Sequence, residues 1–459
     1  MSSWEETGPG IYTTDYGGAE KIFRKISTLF APLKREHFGI SCVLALSWAP
    51  SVTYDKATAL REAWKAVRSE YPGLGVTPDG FFKKTYRRLD EADLEQWTQQ
   101  TFCVDEERSA DAIISTMEPH DLPILWFLPK TEQLVLLTSH WRVDAMGICM
   151  VLDRLLSLVG SPVSASPVMH QSELDAISPS LEDAAGAPVN YTSEHETFGK
   201  GVIENFHKNA VSKGGMRFRG DATTPPGNPA FISAVLDANS TNTLVKACKS
   251  RSISVTAAVH AALAQVVFSL ASPDNAGEDY CGAMAVNLRD KLQSPYNTKQ
   301  HAVQTYVISI ATRVKRDASF SESAQALTHE YKNWCSDMFL QSLRPIYSAH
   351  AEALFNPKKP TVGVPPTPPS GITLSSLGIV ENNLRGEYAD GALRVNDFQF
   401  GVGMMTRQML MYVWTFRGRL HMRICYNEAY YETEVPRDIL ERIRVVLAKE
   451  LSVDLRSDV

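Results

Sequence analysis

The feature that most restricts the fold is a predicted strand hairpin that runs directly into a histidine. Residues 123–128 and 133–138 are apolar runs on either side of a turn, which is the pattern of two antiparallel strands. His140 follows in the run HWRVD (140–144), and residues 148–159 then predict a helix that is apolar around most of its circumference. A side chain at such a junction projects into a cleft while the sheet fixes its backbone.

This junction carries the candidate chemistry. An imidazole such as that of His140 accepts a proton from a hydroxyl or amine near neutral pH, because its ordinary pKa is close to the working pH. Asp144 is placed to leave the cleft and to fix the turn through an ion pair, and Gly147 lets another group come close to the backbone. An HxxxD spacing by itself is a weak signal, and the alternative is that His140 is a packed core histidine.

The rest of the chain mixes strand and helix patterns, which predicts an α/β protein with mixed α+β sheets. The other predicted strands are residues 40–46, 231–236, 280–288, 410–416 and 419–426. The other predicted helices include an apolar stripe at Leu60, Ala63, Trp64 and Val67, and the segments 240–250, 257–270, 321–336 and 436–451. Ser254-Val255-Thr256 is predicted as the start of the helix over 257–270.

Length predicts more than one lobe, because 459 residues exceed what one ordinary core accommodates. Residues 1–160 are predicted as an N-terminal lobe and residues 231–459 as a C-terminal lobe. Between them, residues 161–230 lack periodicity and are rich in Ser, Pro, Asp, Gly and Thr, which predicts an inter-lobe linker with one helix near Glu204. The prolines of residues 357–370 predict an extended surface loop.

Several classes of protein are disfavoured. The net charge of −6 argues against a nucleic-acid or anionic-membrane surface. No run approaches the roughly 18 apolar residues of a membrane span, and the N-terminus lacks a signal-peptide layout. The seven cysteines are scattered without CxxC spacing, which predicts thiols in the cytoplasm and no zinc site. No HExxH or GxSxG motif is present, and His120, His260 and His421 are expected to be structural.

The strand–HxxxD–helix unit resembles the acyltransferase superfamily of chloramphenicol acetyltransferase, the plant BAHD enzymes, the fungal trichothecene O-acetyltransferases and the peptide-synthetase condensation domains. Six further segments resemble that family in the same order, namely residues 70–74, 254–263, 285–289, 374–378, 397–401 and 420–427. Ala145 replaces the glycine of HxxxDG, and Gln399-Phe400 replaces the Gly-Trp of DFGWG. These departures favour a fungal, trichothecene-acetyltransferase-like or condensation-like branch over the plant one.

The resemblance implies two chloramphenicol-acetyltransferase-like lobes with an active-site tunnel between them. It implies that His140 is the general base and that Asp144 and Arg289 form a structural ion pair. Ser375 or Ser376 would donate a hydrogen bond to the oxyanion; the alternative is a strand serine whose hydroxyl is satisfied by backbone. Three further residues are expected to be structural members of the motifs, namely Gly147, Asp397 and Gly401.

The resemblance also implies an enzyme that transfers an acyl group other than an aminoacyl group. Its simplest form moves acetyl from acetyl-CoA, a co-substrate rather than a bound cofactor, to a hydroxyl of a small secondary metabolite. The expected partners are acyl-CoA and an alcohol, and the expected state is a monomer without metal, nucleic acid or membrane. One alternative is a condensation-type domain that forms an ester or amide from a carrier-protein thioester. A second is a non-catalytic binding module of the same fold.

Overall fold

The structure, a computed structural model, describes residues 4–159, 173–209, 215–221, 223–272, 277–355 and 370–458. Helices and sheets are mixed throughout, which confirms the predicted fold class. The chain forms two compact units. The first unit comprises residues 1–187, 287–307 and 380–402, and the second comprises residues 188–286, 308–379 and 403–459.

The strands of the described residues are, in chain order, β1 Glu5–Gly8, β2 Ile11–Asp15, β3 Ile40–Trp48, β4 Thr77–Asp79, β5 Lys83–Arg87, β6 Phe102–Val104, β7 Ile124–Leu128, β8 Gln133–Thr138, β9 Pro229–Leu236, β10 Tyr280–Asn287, β11 Val307–Val314, β12 Ile372–Ile379, β13 Glu387–Tyr388, β14 Leu393–Val402, β15 Met409–Phe416, β16 Arg419–Asn427 and β17 Ser457–Asp458.

The α-helices of the same residues are α1 Gly18–Ser27, α2 Lys56–Glu70, α3 Glu91–Thr101, α4 Ala110–Ser115, α5 Ala145–Leu158, α6 Leu181–Ala184, α7 Ser193–Asn209, α8 Ala238–Ser250, α9 Val255–Leu270, α10 Phe320–Asn333, α11 Asp337–Gln341, α12 Leu343–Phe355 and α13 Glu434–Leu451.

The first unit is built on a six-stranded sheet in the order β13-β14-β3-β8-β7-β6. The predicted hairpin is confirmed, because β7 and β8 pair antiparallel with Trp126 opposite Val135. Side chains are buried on both faces of β8, so the strand that leads to His140 is held by packing on each side. Helix α2 packs against α5 and buries its predicted apolar stripe.

A second, four-stranded sheet in the order β1-β2-β5-β4 completes the first unit, and the sequence patterns did not predict it. Its strands are short and half-exposed, so they lack the apolar alternation that identifies a strand. Tyr16 and Tyr86 from this region form a small buried cluster with Trp141 of the HWRVD run. The sheet therefore supports the residue that follows His140.

The second unit is built on a five-stranded sheet in the order β12-β15-β16-β9-β17, beside a two-stranded ribbon of β10 and β11. Helix α9 packs against α10 and α13, and most of its residues are buried. The Ser254 hydroxyl accepts a hydrogen bond from the backbone N–H of Ala257 at 3.1 Å, which caps α9 as the sequence predicts.

The compact units differ from the predicted contiguous division at residues 160 and 230. Strand β14 pairs with β3, so residues 380–402 belong to the first unit although they are distant in sequence. Local patterns give no sign of such long-range pairing. Within the predicted linker, α7 covers the helix expected near Glu204, whereas residues 161–172, 210–214 and 222 lie outside the described residues. The predicted proline-rich loop also lies outside them, apart from Ser370.

Within the described residues, no single helix is both long and apolar enough to cross a membrane. Helices α8 and α9, which meet at 96°, meet that criterion only when they are taken together.

Candidate active site

His140 lies in the short connection between β8 and α5, where it is half-buried. The ring of Phe23, on α1, stacks on the imidazole with 4.0 Å between centroids and 4° between planes. Thr305 Oγ1 donates a hydrogen bond to the backbone oxygen of His140 at 2.5 Å. No other described residue supplies a hydrogen-bond partner to His140 Nδ1. Both the ring plane and the backbone of His140 are therefore held in place.

The electrostatic surroundings keep this imidazole neutral. Burial lowers the pKa of His140 below its ordinary value of 6.5, and a hydrogen bond with its own backbone and the charge of Asp144 oppose that shift only in part. A neutral imidazole has a free lone pair for a proton. The site thus presents a fixed group that can act as a base at neutral pH.

Asp144 and Arg289, the predicted ion pair, are brought together in the first unit. Arg289 Nη1 lies 2.8 Å from Asp144 Oδ1 and 2.7 Å from Oδ2. Asp144 is 1% exposed and Arg289 is 3% exposed, so the pair is removed from water. Arg289 Nη2 also donates to the backbone oxygens of Ala302 and Gln304, at 3.2 and 3.3 Å.

The Asp144 carboxylate is fully engaged by structural partners. Besides Arg289, it accepts hydrogen bonds from the backbone N–H of Gly147 and of Tyr306, both at 2.8 Å. The Gly147 bond caps the N-terminus of α5. Asp144 therefore joins α5 to the segment around residues 302–306, and its oxygens are not available for proton transfer.

Gly147 is required by the close approach of that same segment. A Cβ atom at this position would lie 2.2 Å from the backbone oxygen of Ala302 and 2.6 Å from Val143 Cγ2. Since neither backbone nor packed core can yield by that much, only glycine fits.

Arg142 anchors the other side of the HWRVD run. Its buried guanidinium donates to the backbone oxygens of Gly73 and Val76, at 3.2 and 2.6 Å, and to that of Asp121. Burial lowers the pKa of Arg142 to about 10. These bonds tie the run to the turn that follows α2, which contains the Pro-Gly-Leu segment that resembles the family.

Glu36 is a further residue at this site, and no sequence signal pointed to it. Ser139, directly before His140, donates a hydrogen bond from Oγ to Glu36 Oε2 at 2.9 Å. Glu36 is buried in the loop before β3, and burial raises its pKa to about 7, against the lowering effect of the Ser139 bond. Phe23 and Thr305 were also not predicted as site residues, because each contacts His140 only through packing between distant parts of the sequence.

The remaining predicted residues lie in strands. Ser375 and Ser376 belong to β12 of the second unit, and Ser376 Oγ is 2.9 Å from Thr256 Oγ1. Their role at an oxyanion stays a prediction. Asp397 and Gly401 lie within β14 of the first unit, where Gly401 is opposite Ser41 of β3. Asp397 accepts a hydrogen bond from Gln399 Nε2 at 3.0 Å, and its structural role stays a prediction.

Comparison with known proteins identifies relatives along the whole chain. No family model matches. The O-acetyltransferase pigM of Monascus ruber is 46% identical over 453 residues, which cover 99% of this chain and 88% of the relative. The azaphilone biosynthesis cluster protein M of Aspergillus terreus is 39% identical over 449 residues, 98% of each chain. Among solved structures, the TRI3 trichothecene 15-O-acetyltransferase of Fusarium sporotrichioides matches with a TM-score of 0.80, 19% identity and coverage of 98% and 97%.

Proposed function

We propose that this chain, which belongs to the family of fungal O-acetyltransferases that includes pigM, transfers an acetyl group from acetyl-CoA to a hydroxyl of a small secondary metabolite with His140 as general base. One observation supports this role above the others: the His140 ring is stacked and its backbone anchored, with its pKa lowered by burial, while the nearby Asp144 is fully occupied by Arg289 and backbone N–H groups. The run therefore offers one group for proton transfer.

The proposed reaction follows from that geometry. The imidazole of His140 takes the proton of the acceptor hydroxyl as its oxygen attacks the thioester carbonyl of acetyl-CoA. The tetrahedral intermediate collapses with cleavage of the C–S bond, and the imidazolium returns the proton to the departing thiolate. The products are an acetate ester and coenzyme A, and His140 is regenerated. Much of the rate enhancement would come from holding the two substrates together.

The acceptor class is proposed from the relatives. One relative is named for an azaphilone biosynthesis cluster, and an azaphilone that carries a free hydroxyl is therefore the first acceptor to test. The purified protein, incubated with labelled acetyl-CoA and such an azaphilone, is expected to form a labelled acetate ester and free coenzyme A. Product mass and thiol release provide the two measurements.

The two alternatives predict different results in the same assay. A condensation-type enzyme would use acetyl-pantetheine on a carrier domain and not acetyl-CoA. A non-catalytic module would use neither donor. Turnover with acetyl-CoA alone supports the proposal, and turnover that depends on the carrier domain contradicts it.

The pH dependence of the reaction gives a further prediction. The neutral fraction of His140 falls as the pH falls through its pKa, and burial places that pKa below the ordinary value of 6.5. We expect kcat/KM to be at its plateau near pH 8 and to reach half of its plateau value only below pH 6.5. Initial rates across this range, with circular dichroism as a check on folding, test it. A half-maximal rate at or above pH 6.5 would contradict a lowered pKa.

A further inference from the structure

A small cavity lies beside the strand end that leads to His140. Its polar side is formed by Glu36, Glu118, His120 and the neighbouring pair Thr138 and Ser139, and its apolar walls by Met117, Leu122, Ile124 and Leu137. Its volume is about 30 Å³, and one water molecule needs roughly 10–15 Å³ of such volume. The cavity therefore has room for a group the size of a hydroxyl.

Two buried polar atoms of this cavity have no partner. Glu36 Oε1 and Thr138 Oγ1 make no hydrogen bond to any described residue, and both residues are 6% exposed. Glu36 Oε2, by contrast, accepts the hydrogen bond from Ser139. Buried polar atoms are nearly always paired, since an unmade hydrogen bond is costly. Two unpaired atoms in one cavity indicate a group that would pair with both.

The cavity is close to the reactive histidine. Thr138 and Ser139 are the two residues before His140, and consecutive Cα atoms are about 3.8 Å apart, so all three Cα atoms lie within about 8 Å of each other. A ligand whose reacting hydroxyl meets His140 can thus place a neighbouring substituent in the cavity.

We propose that this cavity is a subsite for a second hydroxyl of the acceptor, with Glu36 and Thr138 as its specificity-determining residues. This rests on the proposed function, because the bound molecule is the acceptor of that reaction. A hydroxyl fits both atoms: it donates to the carboxylate oxygen of Glu36 and accepts from the hydroxyl of Thr138. At pH 8 the Glu36 carboxyl, whose pKa is raised by burial to about 7, is mostly ionised and only accepts hydrogen bonds. A carbonyl or ether oxygen then has no proton to donate to it, and a carboxylate would meet it with like charge.

The experiment compares binding of a dihydroxy azaphilone with binding of each of its two mono-methyl ethers, by isothermal titration calorimetry at pH 8, where Glu36 is mostly ionised. The wild-type protein should bind the ether that blocks the subsite roughly 10- to 100-fold more weakly than the diol, because a charge-assisted hydrogen bond is lost. The preference for the diol should be lost in Glu36→Gln and in Thr138→Val. For each variant, the dissociation constants of the diol and of both ethers should lie within about 3-fold of one another. The matched control is Glu106→Gln, an exposed carboxyl in the loop before α4, which should keep the wild-type preference.

Thermal unfolding separates this role from a structural one. Since Glu36 Oε1 has no protein partner, Glu36→Gln should not lower the melting temperature. The subsite proposal is overturned if the wild-type protein fails to bind the diol or binds both ethers as tightly as the diol. It is also overturned if both variants keep the full wild-type preference for the diol. Acetyl transfer measured on the same samples keeps the two proposals apart. A diol preference without transfer contradicts the proposed function alone, and transfer without a diol preference contradicts the subsite alone.

Discussion

Replacing His140 by alanine is expected to lower kcat by about 10²- to 10⁴-fold, the usual contribution of a positioned general base. The acceptor hydroxyl would then have to lose its proton to water, whereas acetyl-CoA would still bind. The KM values should change little, because proton transfer occurs in the transition state and not in the bound ground state. Initial rates with acetyl-CoA and an azaphilone alcohol measure the effect.

The control for this substitution is His329→Ala, an exposed histidine on α10 of the second unit, which should retain wild-type turnover. His140→Ala also removes the ring that stacks on Phe23, so its unfolding midpoint must be measured beside its rate. Undiminished turnover in a folded His140→Ala protein would contradict the general-base role.

Local sequence patterns predicted most of the elements that carry the site. The apolar stripe of α2, the hairpin of β7 and β8 and the capped start of α9 follow from side-chain periodicity and from residues with strong local preferences. The four-stranded sheet and the pairing of β14 with β3 could not be predicted from the sequence. Short strands lack a clear period, and pairing between distant segments depends on tertiary packing that no local pattern records.

Some residues of the candidate site were likewise predicted from the sequence, and others were not. The HxxxD run located His140, and the family resemblance supplied Arg289 as the partner of Asp144, since nothing in local spacing links residues 145 positions apart. Phe23 and Glu36 were not predicted, because a lone aromatic on a helix or a lone glutamate before a strand has no distinguishing pattern. Burial and distance identify both as neighbours of the reactive segment. The compact units were likewise not predictable from local composition, because residues 380–402 join the first unit through the pairing of β14 with β3.

Removing the charge of Arg289 is expected to be the most destabilising change. Arg289→Met should lower the free energy of unfolding by about 3–5 kcal/mol, because it leaves the carboxylate of Asp144 buried without its counter-charge. Asp144 would keep only the N–H groups of Gly147 and Tyr306, and Arg289 would no longer hold the backbone at Ala302 and Gln304. Activity should fall together with stability, since this segment includes Thr305, which anchors His140. Equilibrium unfolding in urea measures the loss.

The matched control is an exposed ion pair of the same unit, Arg394 with Glu387, whose side chains are about half-exposed. Arg394→Met should cost no more than about 1 kcal/mol, because water screens such a pair. Combining Arg289→Met with Asp144→Asn should cost less than the sum of the two single changes, because the second substitution removes the charge that the first one strands. Strictly additive losses, or an Arg289→Met protein as stable as wild type, would contradict a coupled buried pair. We expect rate and stability to fall together in Arg289→Met, and the rate alone to fall in His140→Ala. This difference would distinguish the residue that holds the turn from the residue that moves the proton.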